Sequence, residues 1–336
     1  MTAPLIRIDA VERIFGGGRT LFGRMKPGVH AVQNVSLDIY PGETLGIVGE
    51  SGCGKSTLAR ILIGLDAPTG GTVRFKGEDI AAITRKDFNR VARRIQYVFQ
   101  DPVSSLNPRK TVRAILEAPL KRLRGLGRRE REARLNELLD AVNLRTEFLE
   151  RYPHEFSGGQ AQRIAIARAL AAGPDLIVLD EPVSALDVSV QAQVLNLLED
   201  LKGRFGLTYV FISHDLSVVE SVSDRVAVMY FGRIAEIGPS RSIFADPHHH
   251  YTRLLLDTAP APGRPLHAPG TEGDLPDPYD PPKGCAFAAR CPAADELCRS
   301  ERPGLDAAVA NEGHSAACFH PPGKAAAGRH SRNEKT

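Results

Sequence analysis

No segment of the sequence reaches the run of roughly 18 uncharged apolar residues that a membrane-spanning helix requires. Met1 to Phe15 carries Arg7, Asp9, Glu12 and Arg13 where a secretory signal would be apolar, so a cytoplasmic chain is expected. A surplus of charge is missing too: 43 Lys and Arg stand against 40 Asp and Glu, a net +3, which gives composition no argument for nucleic acid or a membrane surface. Cysteine is nearly absent before the last fifth of the chain, where Cys285, Cys291, Cys298 and Cys318 crowd together and leave Cys53 alone. In a reducing compartment such a cluster reads as a metal site more readily than as two disulfides. No internal repeat is found. An ordinary globular share of hydrophobic residues, 42% of 336, allows one large domain with an appendage, or two modest domains.

Residues 4–12 and 31–39 alternate apolar and polar side chains and predict strands, with a Gly-rich, basic loop between them at Gly16 to Gly28. Thr44 to Val48 is a short apolar run ending in glycines and followed by a helix-compatible stretch, Ser56 to Leu65. Leu176 to Leu179 and Tyr209 to Ile212 are apolar without alternation, the pattern of strands buried on both faces of a parallel sheet. The fold class is therefore α/β. From Val112 to Leu149 the pattern changes to charged helices with Ile115, Leu116, Leu120, Leu135, Leu138 and Leu139 at helical spacing, a helical insertion into the α/β domain. After Pro247 proline and glycine become dense, predicting a linker into a small separate module, and a disordered tail is expected over 324–336.

Gly49-Glu50-Ser51-Gly52-Cys53-Gly54-Lys55-Ser56-Thr57 fits G-x-x-x-x-G-K-[ST] between a predicted strand and a predicted helix, the context that gives this pattern meaning. Such a loop turns backbone N–H groups onto phosphate oxygens, Lys55 neutralises the β- and γ-phosphates, and Ser56 offers a hydroxyl to Mg²⁺. The bland alternative is a Gly-rich turn before a helix. Asp180 closes the run Leu176 to Leu179, where a carboxylate faces the phosphate crevice and suits Mg²⁺; the adjacent Glu181 suits orientation or deprotonation of the attacking water. A strand that merely ends in a charged turn is the competing reading. Cys53, beside Lys55 at a helix start, is either an acidified thiol or simply a small residue that fits the loop.

With Phe156-Ser157-Gly158-Gly159-Gln160-Ala161-Gln162-Arg163 upstream of Asp180, the sequence resembles the ATP-binding-cassette family, the phosphate-loop NTPases that carry a helical subdomain insertion. The resemblance implies that Ser157, Gly158, Gly159 and Gln160 close over ATP held by an opposite subunit, so that two subunits sandwich two nucleotides. It also implies a glutamine loop at Gln100 that touches Mg²⁺ and the attacking water, an interface loop at Ser184 to Asp187, and a switch histidine at His214. Phe15 matches the aromatic that stacks on adenine, a core phenylalanine being the other reading. All hydrolytic positions keep active residue types, so competent ATP hydrolysis is expected. The cassette is placed at 1–250, with its helical subdomain at about 101–172.

Gln100 to Arg109 and His250 to Leu255 resemble the ATPase subunits of oligopeptide and dipeptide importers, and the insert after Phe15 looks like their F-type subunit. One departure is that the usual His-Pro-Tyr is His249-His250-Tyr251 here, with Pro247 earlier. The resemblance implies a second ATPase subunit of D type as partner, two membrane-spanning permease subunits, and indirectly an extracytoplasmic substrate-binding protein. It implies no nucleic acid, and a peripheral place on the cytoplasmic face of the inner membrane. Related importers carry nickel, glutathione or oligosaccharides, and a soluble non-transport cassette ATPase or a phosphate-loop kinase are rival readings. The basic run from Lys121 to Arg134 is either a solvated face interleaved with Glu130 and Glu132 or a surface near anionic headgroups.

Cys285, Cys291, Cys298 and Cys318 give C-x5-C-x6-C-x19-C. Structural zinc sites favour tighter pairs, so the spacing points to a [4Fe–4S] cluster, with Zn²⁺ or unligated buried thiols as alternatives. The resemblance implies such a cluster in a C-terminal module at 251–323.

Overall fold

The computed structural model describes residues 3–17, 27–258, 275–305, 308–311 and 313–323. In chain order the first six strands are β1 (Ile6–Gly16), β2 (Gly28–Ile39), β3 (Thr44–Val48), β4 (Gly70–Phe75), β5 (Glu78–Asp79) and β6 (Ile95–Val98). They are followed by β7 (Leu176–Asp180), β8 (Thr208–Ile212), β9 (Arg225–Tyr230), β10 (Arg233–Pro239), β11 (Ala308–Asn311) and β12 (His314–Ala316).

β1 and β2 pair antiparallel from Ile6–Ile39 to Gly16–Gly28 and join β4 and β5 in a four-stranded sheet, order β2-β1-β4-β5. The second sheet has the order β11-β12-β10-β9-β3-β8-β7-β6. Its β9-β3-β8-β7-β6 part is parallel, with antiparallel strands added at the β10 side. The unalternating apolar runs explain its position. Along β7, Leu176 and Val178 belong to the core shared with the four-stranded sheet, while Ile177 and Leu179 face the helices on the other side. A strand covered on both faces has no polar face to show.

The charged segment after residue 101 folds into helices Val112–Arg122, Arg128–Ala141 and Gly158–Ala171. Their inner stripe, Leu116, Leu120, Leu135, Leu138, Leu139 and Ile164, is fully buried, and each leucine contributes about 1.5–3 kcal/mol of burial. Two arginines of the basic run lie beside carboxylates, Arg131 3.8 Å from Glu117 and Arg134 2.6 Å from Glu137.

The cysteine segment is not a separate globule, contrary to the expectation drawn from its Pro-rich approach. β12 pairs with β10, so the chain that leads to Cys318 is part of the large sheet. Phe287 is 2% exposed inside the cassette's own core, because a segment this short cannot enclose a core of its own. Glu236 of β10, fully buried, accepts from the backbone N–H groups of His248 (2.6 Å) and His249 (2.9 Å) and lies 2.7 Å from His314 Nε2 on β12. The tail 324–336, most of the Gly16 to Gly28 loop and the stretch 259–274 lie outside the described residues.

Candidate functional site

β3 delivers the chain to Gly49, and the helix Lys55–Leu62 starts immediately after Gly54. Gly49 (φ +153°) and Gly54 (φ +102°) are required by space as well as by dihedral angle. A Cβ would lie 2.1 Å from Met229 O at the first and 2.2 Å from Ala31 O at the second. Lys55, 7% exposed, donates from Nζ to the carbonyls of Gly49 (2.7 Å) and Glu50 (2.9 Å) and curls the loop around its own cation. Ser51, Gly52, Gly54, Lys55, Ser56 and Thr57 line a cavity of about 540 Å³ that also takes in Gln100, Glu181 and His214. Cys53 is buried in the loop, where burial raises its thiol and Lys55 acts the other way, which favours the reading of a small residue that fits.

Three neighbouring parallel strands end at this cavity. β7 closes with Asp180, whose carboxylate accepts a hydrogen bond from the hydroxyl of Tyr97 on β6; burial and that carboxylate raise the Tyr97 phenol far above its usual range. Glu181 follows with φ +48°, a left-handed backbone rare outside glycine, and its N–H donates to Ile212 O of β8 (2.9 Å). The backbone is thus turned so that the side chain faces the loop. Gln100 Nε2 donates to Glu181 Oε2 (2.8 Å), and His214 Nδ1 lies 2.9 Å from Oε1. A carboxylate fixed at both oxygens beside a phosphate-binding loop can hold a water in one orientation.

Other expected site residues lie elsewhere. Ser157 caps the helix Gly158–Ala171: its Oγ accepts from Gln160 N (3.4 Å), and Gln160 Oε1 accepts from Ser157 N (3.1 Å). Ser157, Gly159 and Gln160 line a different hollow, with Arg145 and Arg163, that shares no residue with the Lys55 cavity. Asp187 is exposed at the start of the helix Val188–Phe205, beside Val188, which is 82% exposed. Phe15 is not in the cavity lining; it is 38% exposed, pairs with Val29 of the cavity wall, and has the Arg13 guanidinium 4.6 Å from its ring.

Several residues that matter to the site carry no motif. Tyr97 is one. The hydroxyl of Tyr251 accepts from Glu50 N (2.8 Å), and Arg290 makes two bonds of 3.0 Å to the Glu50 carboxylate. Arg290 precedes Cys291, so the cysteine segment reaches the phosphate loop directly.

The four clustered thiols are free and line one small cavity with His249, His250 and His320. Burial raises all four. Cys285 N donates to Cys298 O (2.8 Å), and Cys298 N donates to Asp295 Oδ1 (2.9 Å), which fixes the backbone around them. Among the described residues, the one His/Cys/carboxylate group whose ligand atoms all lie within 4.8 Å of each other is Asp295, Cys298 and His320.

Among the described residues no helix is long and apolar enough to cross a membrane. Residues 32–184 match the ABC transporter family, and residues 235–298 match the oligopeptide/dipeptide transporter C-terminal region. The chain is 48% identical to the oligopeptide transport ATP-binding protein AppF of Bacillus subtilis, over 94% of this chain and 96% of that protein. It is 47% identical to the dipeptide transport ATP-binding protein DppF of Haemophilus influenzae, over 94% and 97%. Among solved structures it resembles the dimeric ATP-binding cassette MJ0796 in a post-hydrolysis state bound to ADP and phosphate. That match has a TM-score of 0.62 and 32% identity, and covers 70% of this chain and 99% of that one. The chain therefore belongs to the ABC transporter family, among the ATP-binding subunits that resemble those of oligopeptide and dipeptide transporters.

Proposed function

We propose that this chain binds ATP in the cavity formed by Gly49 to Thr57 and hydrolyses it to power peptide import through a membrane transporter. The observation that carries hydrolysis is Glu181, held at both carboxylate oxygens by Gln100 and His214 in the cavity of Lys55 and Ser56. Lys55 balances the β- and γ-phosphates, and Glu181 orients and deprotonates the attacking water. Ser56, Gln100 and Asp180 are the oxygen donors that would hold Mg²⁺, which offsets phosphate charge when bound. Phe15, next to Val29 of the cavity wall, is the candidate to stack on the base.

The site is half of a composite one. Ser157, Gly158, Gly159, Gln160 and Asp187 act on nucleotide held by a second subunit, a D-type paralogue. The separate hollow at Ser157 and the exposed Val188 support this, as does likeness to cassettes described as dimeric. Two permease subunits and an extracytoplasmic substrate-binding protein complete the importer, with this chain on its cytoplasmic side. Peptide as cargo rests on the transport roles in the relatives' names.

Cys285, Cys291, Cys298 and Cys318 hold a [4Fe–4S] cluster in this reading. What supports the cluster is the C-x5-C-x6-C-x19-C spacing, wider than the close pairs of structural zinc sites, together with the one small cavity that all four thiols line. Bound there, the cluster supplies crosslinking of the segment. Iron and acid-labile sulfide analysis of anaerobically purified protein checks it; zinc without iron contradicts it. Hydrolysis is tested by Glu181→Gln, which is expected to bind ATP and lose turnover by at least 100-fold. Undiminished turnover would place the base elsewhere.

A further inference from the structure

Another cavity, of about 220 Å³, lies between the cassette and the cysteine segment; it shares His249, Cys285, Phe287 and Pro303 with the thiol cavity and no residue with the nucleotide cavity. Its walls are largely apolar, with Tyr230, Ile234, Phe287 and Leu305 among them, and its charged lining residues are Arg233 and Arg302. An apolar cavity of roughly 150 Å³ accommodates a benzene ring, so this one takes a side-chain-sized apolar group.

The two arginines face the same cavity, Arg233 half-buried and Arg302 exposed. Arg233 is half-buried at the start of β10, and among the described residues its guanidinium has neither a hydrogen-bond partner nor an ion pair. Burial and the nearby Arg302 both hold it below its ordinary value, with Glu12 acting the other way. Arg302 is anchored by its own segment: Nη2 donates to Pro282 O at 2.5 Å and Nε to Gly284 O at 3.5 Å. The same two arginines also border an adjoining, more polar hollow with Glu12, His30 and Gln33. Two neighbouring cations on an apolar wall repel one another and lack the bonded carboxylates found with Arg7, Arg113 and Arg225 elsewhere in the chain. An anion placed between them would remove the repulsion and supply acceptors to a planar guanidinium.

We propose that this cavity binds a small organic anion, with its charged head between Arg233 and Arg302 and its apolar body against Ile234, Phe287 and Leu305. The shared chemistry is an anionic group on an apolar body, and carboxylate and phosphate ester are its two sources.

The test titrates 3-phenylpropionate, phenyl phosphate and the uncharged 3-phenylpropionamide into the full chain by calorimetry, with Mg·ADP saturating the phosphate loop. One equivalent of at least one anion is expected to bind, and the amide is not; whichever anion binds more tightly identifies the head group. Arg233→Gln and Arg302→Gln should each weaken binding about tenfold or more, Arg233→Lys should restore part of it, and all three should keep the parent's ADP affinity. Absence of binding, equal binding of acid and amide, or affinity unchanged in both Gln variants would overturn the proposal.

Discussion

Arg290 holds the carboxylate of Glu50 with two parallel hydrogen bonds of 3.0 Å, joining residues 240 apart in sequence. Glu50 is the second residue of the phosphate loop, and Arg290 is the neighbour of Cys291. The Arg290 guanidinium also lies over the rings of Tyr230 (5.9 Å) and Phe287 (5.6 Å), so the pair is set in a packed wall and is not a mobile surface contact. A bidentate, partly desolvated pair of this kind fixes direction as well as charge. The phosphate loop is thus braced from the C-terminal segment.

Arg290→Ala should weaken ATP binding about tenfold, the cost of leaving one charged partner of a half-buried pair unpaired. Titration of a fluorescent ATP analogue measures it. Tyr251→Phe, which removes only the hydroxyl that accepts from Glu50 N, should weaken binding by less.

Glu236→Ala removes a fully buried carboxylate that serves His314 and two backbone N–H groups. It should cost about 3–5 kcal/mol of stability, read from denaturant unfolding, since the partners stay buried without an acceptor.

Stability should also fall in mild acid through His249. Burial lowers this imidazole from its ordinary 6.5 to about 4, and its Nδ1 accepts from Tyr251 N (3.0 Å), as a neutral ring must. Between those values the unfolded chain binds a proton that the folded chain does not. The contribution is therefore full above pH 6.5 and is lost as pH falls towards 4, by about 3 kcal/mol in all. Thermal unfolding from pH 7.5 to 4 should show the loss, and His249→Asn should flatten it.

Val188→Asp places a charge on an apolar side chain that is 82% exposed beside Asp187. Monomer stability and ATP affinity should be unchanged. ATP-dependent pairing of the Glu181→Gln protein with its D-type partner, followed by sedimentation velocity, should be abolished by a buried unpaired charge at the seam.

The parts of this molecule that are legible in the sequence are those whose chemistry is local. Gly49 to Thr57, Leu176 to Glu181 and Ser157 to Gln160 each carry their meaning within a few residues, because a loop curl, a strand end and a helix cap are short-range structures. The strands buried on both faces were readable for a similar reason, since their neighbours on either side dictate an unbroken apolar run. Tyr97 and Arg290 were not readable. Each acts through a partner far away in sequence, Tyr97 on Asp180 across adjacent strands and Arg290 on Glu50 across most of the chain, and neither local pattern differs from that of an ordinary core tyrosine or surface arginine. The cysteine segment reads as independent for the same reason: its proline-rich approach is local, whereas the pairing of β12 with β10 and the Glu236–His314 contact are not.

Completion of the nucleotide site by a second subunit is tested most directly by measuring ATP turnover and molecular mass in the same sample across a concentration series. The measurement is made alone and with a D-type paralogue. Turnover should rise only as dimers appear, and Ser157→Arg in both subunits should remove it while leaving ATP bound. Full-rate hydrolysis by a chain that stays monomeric would contradict the account.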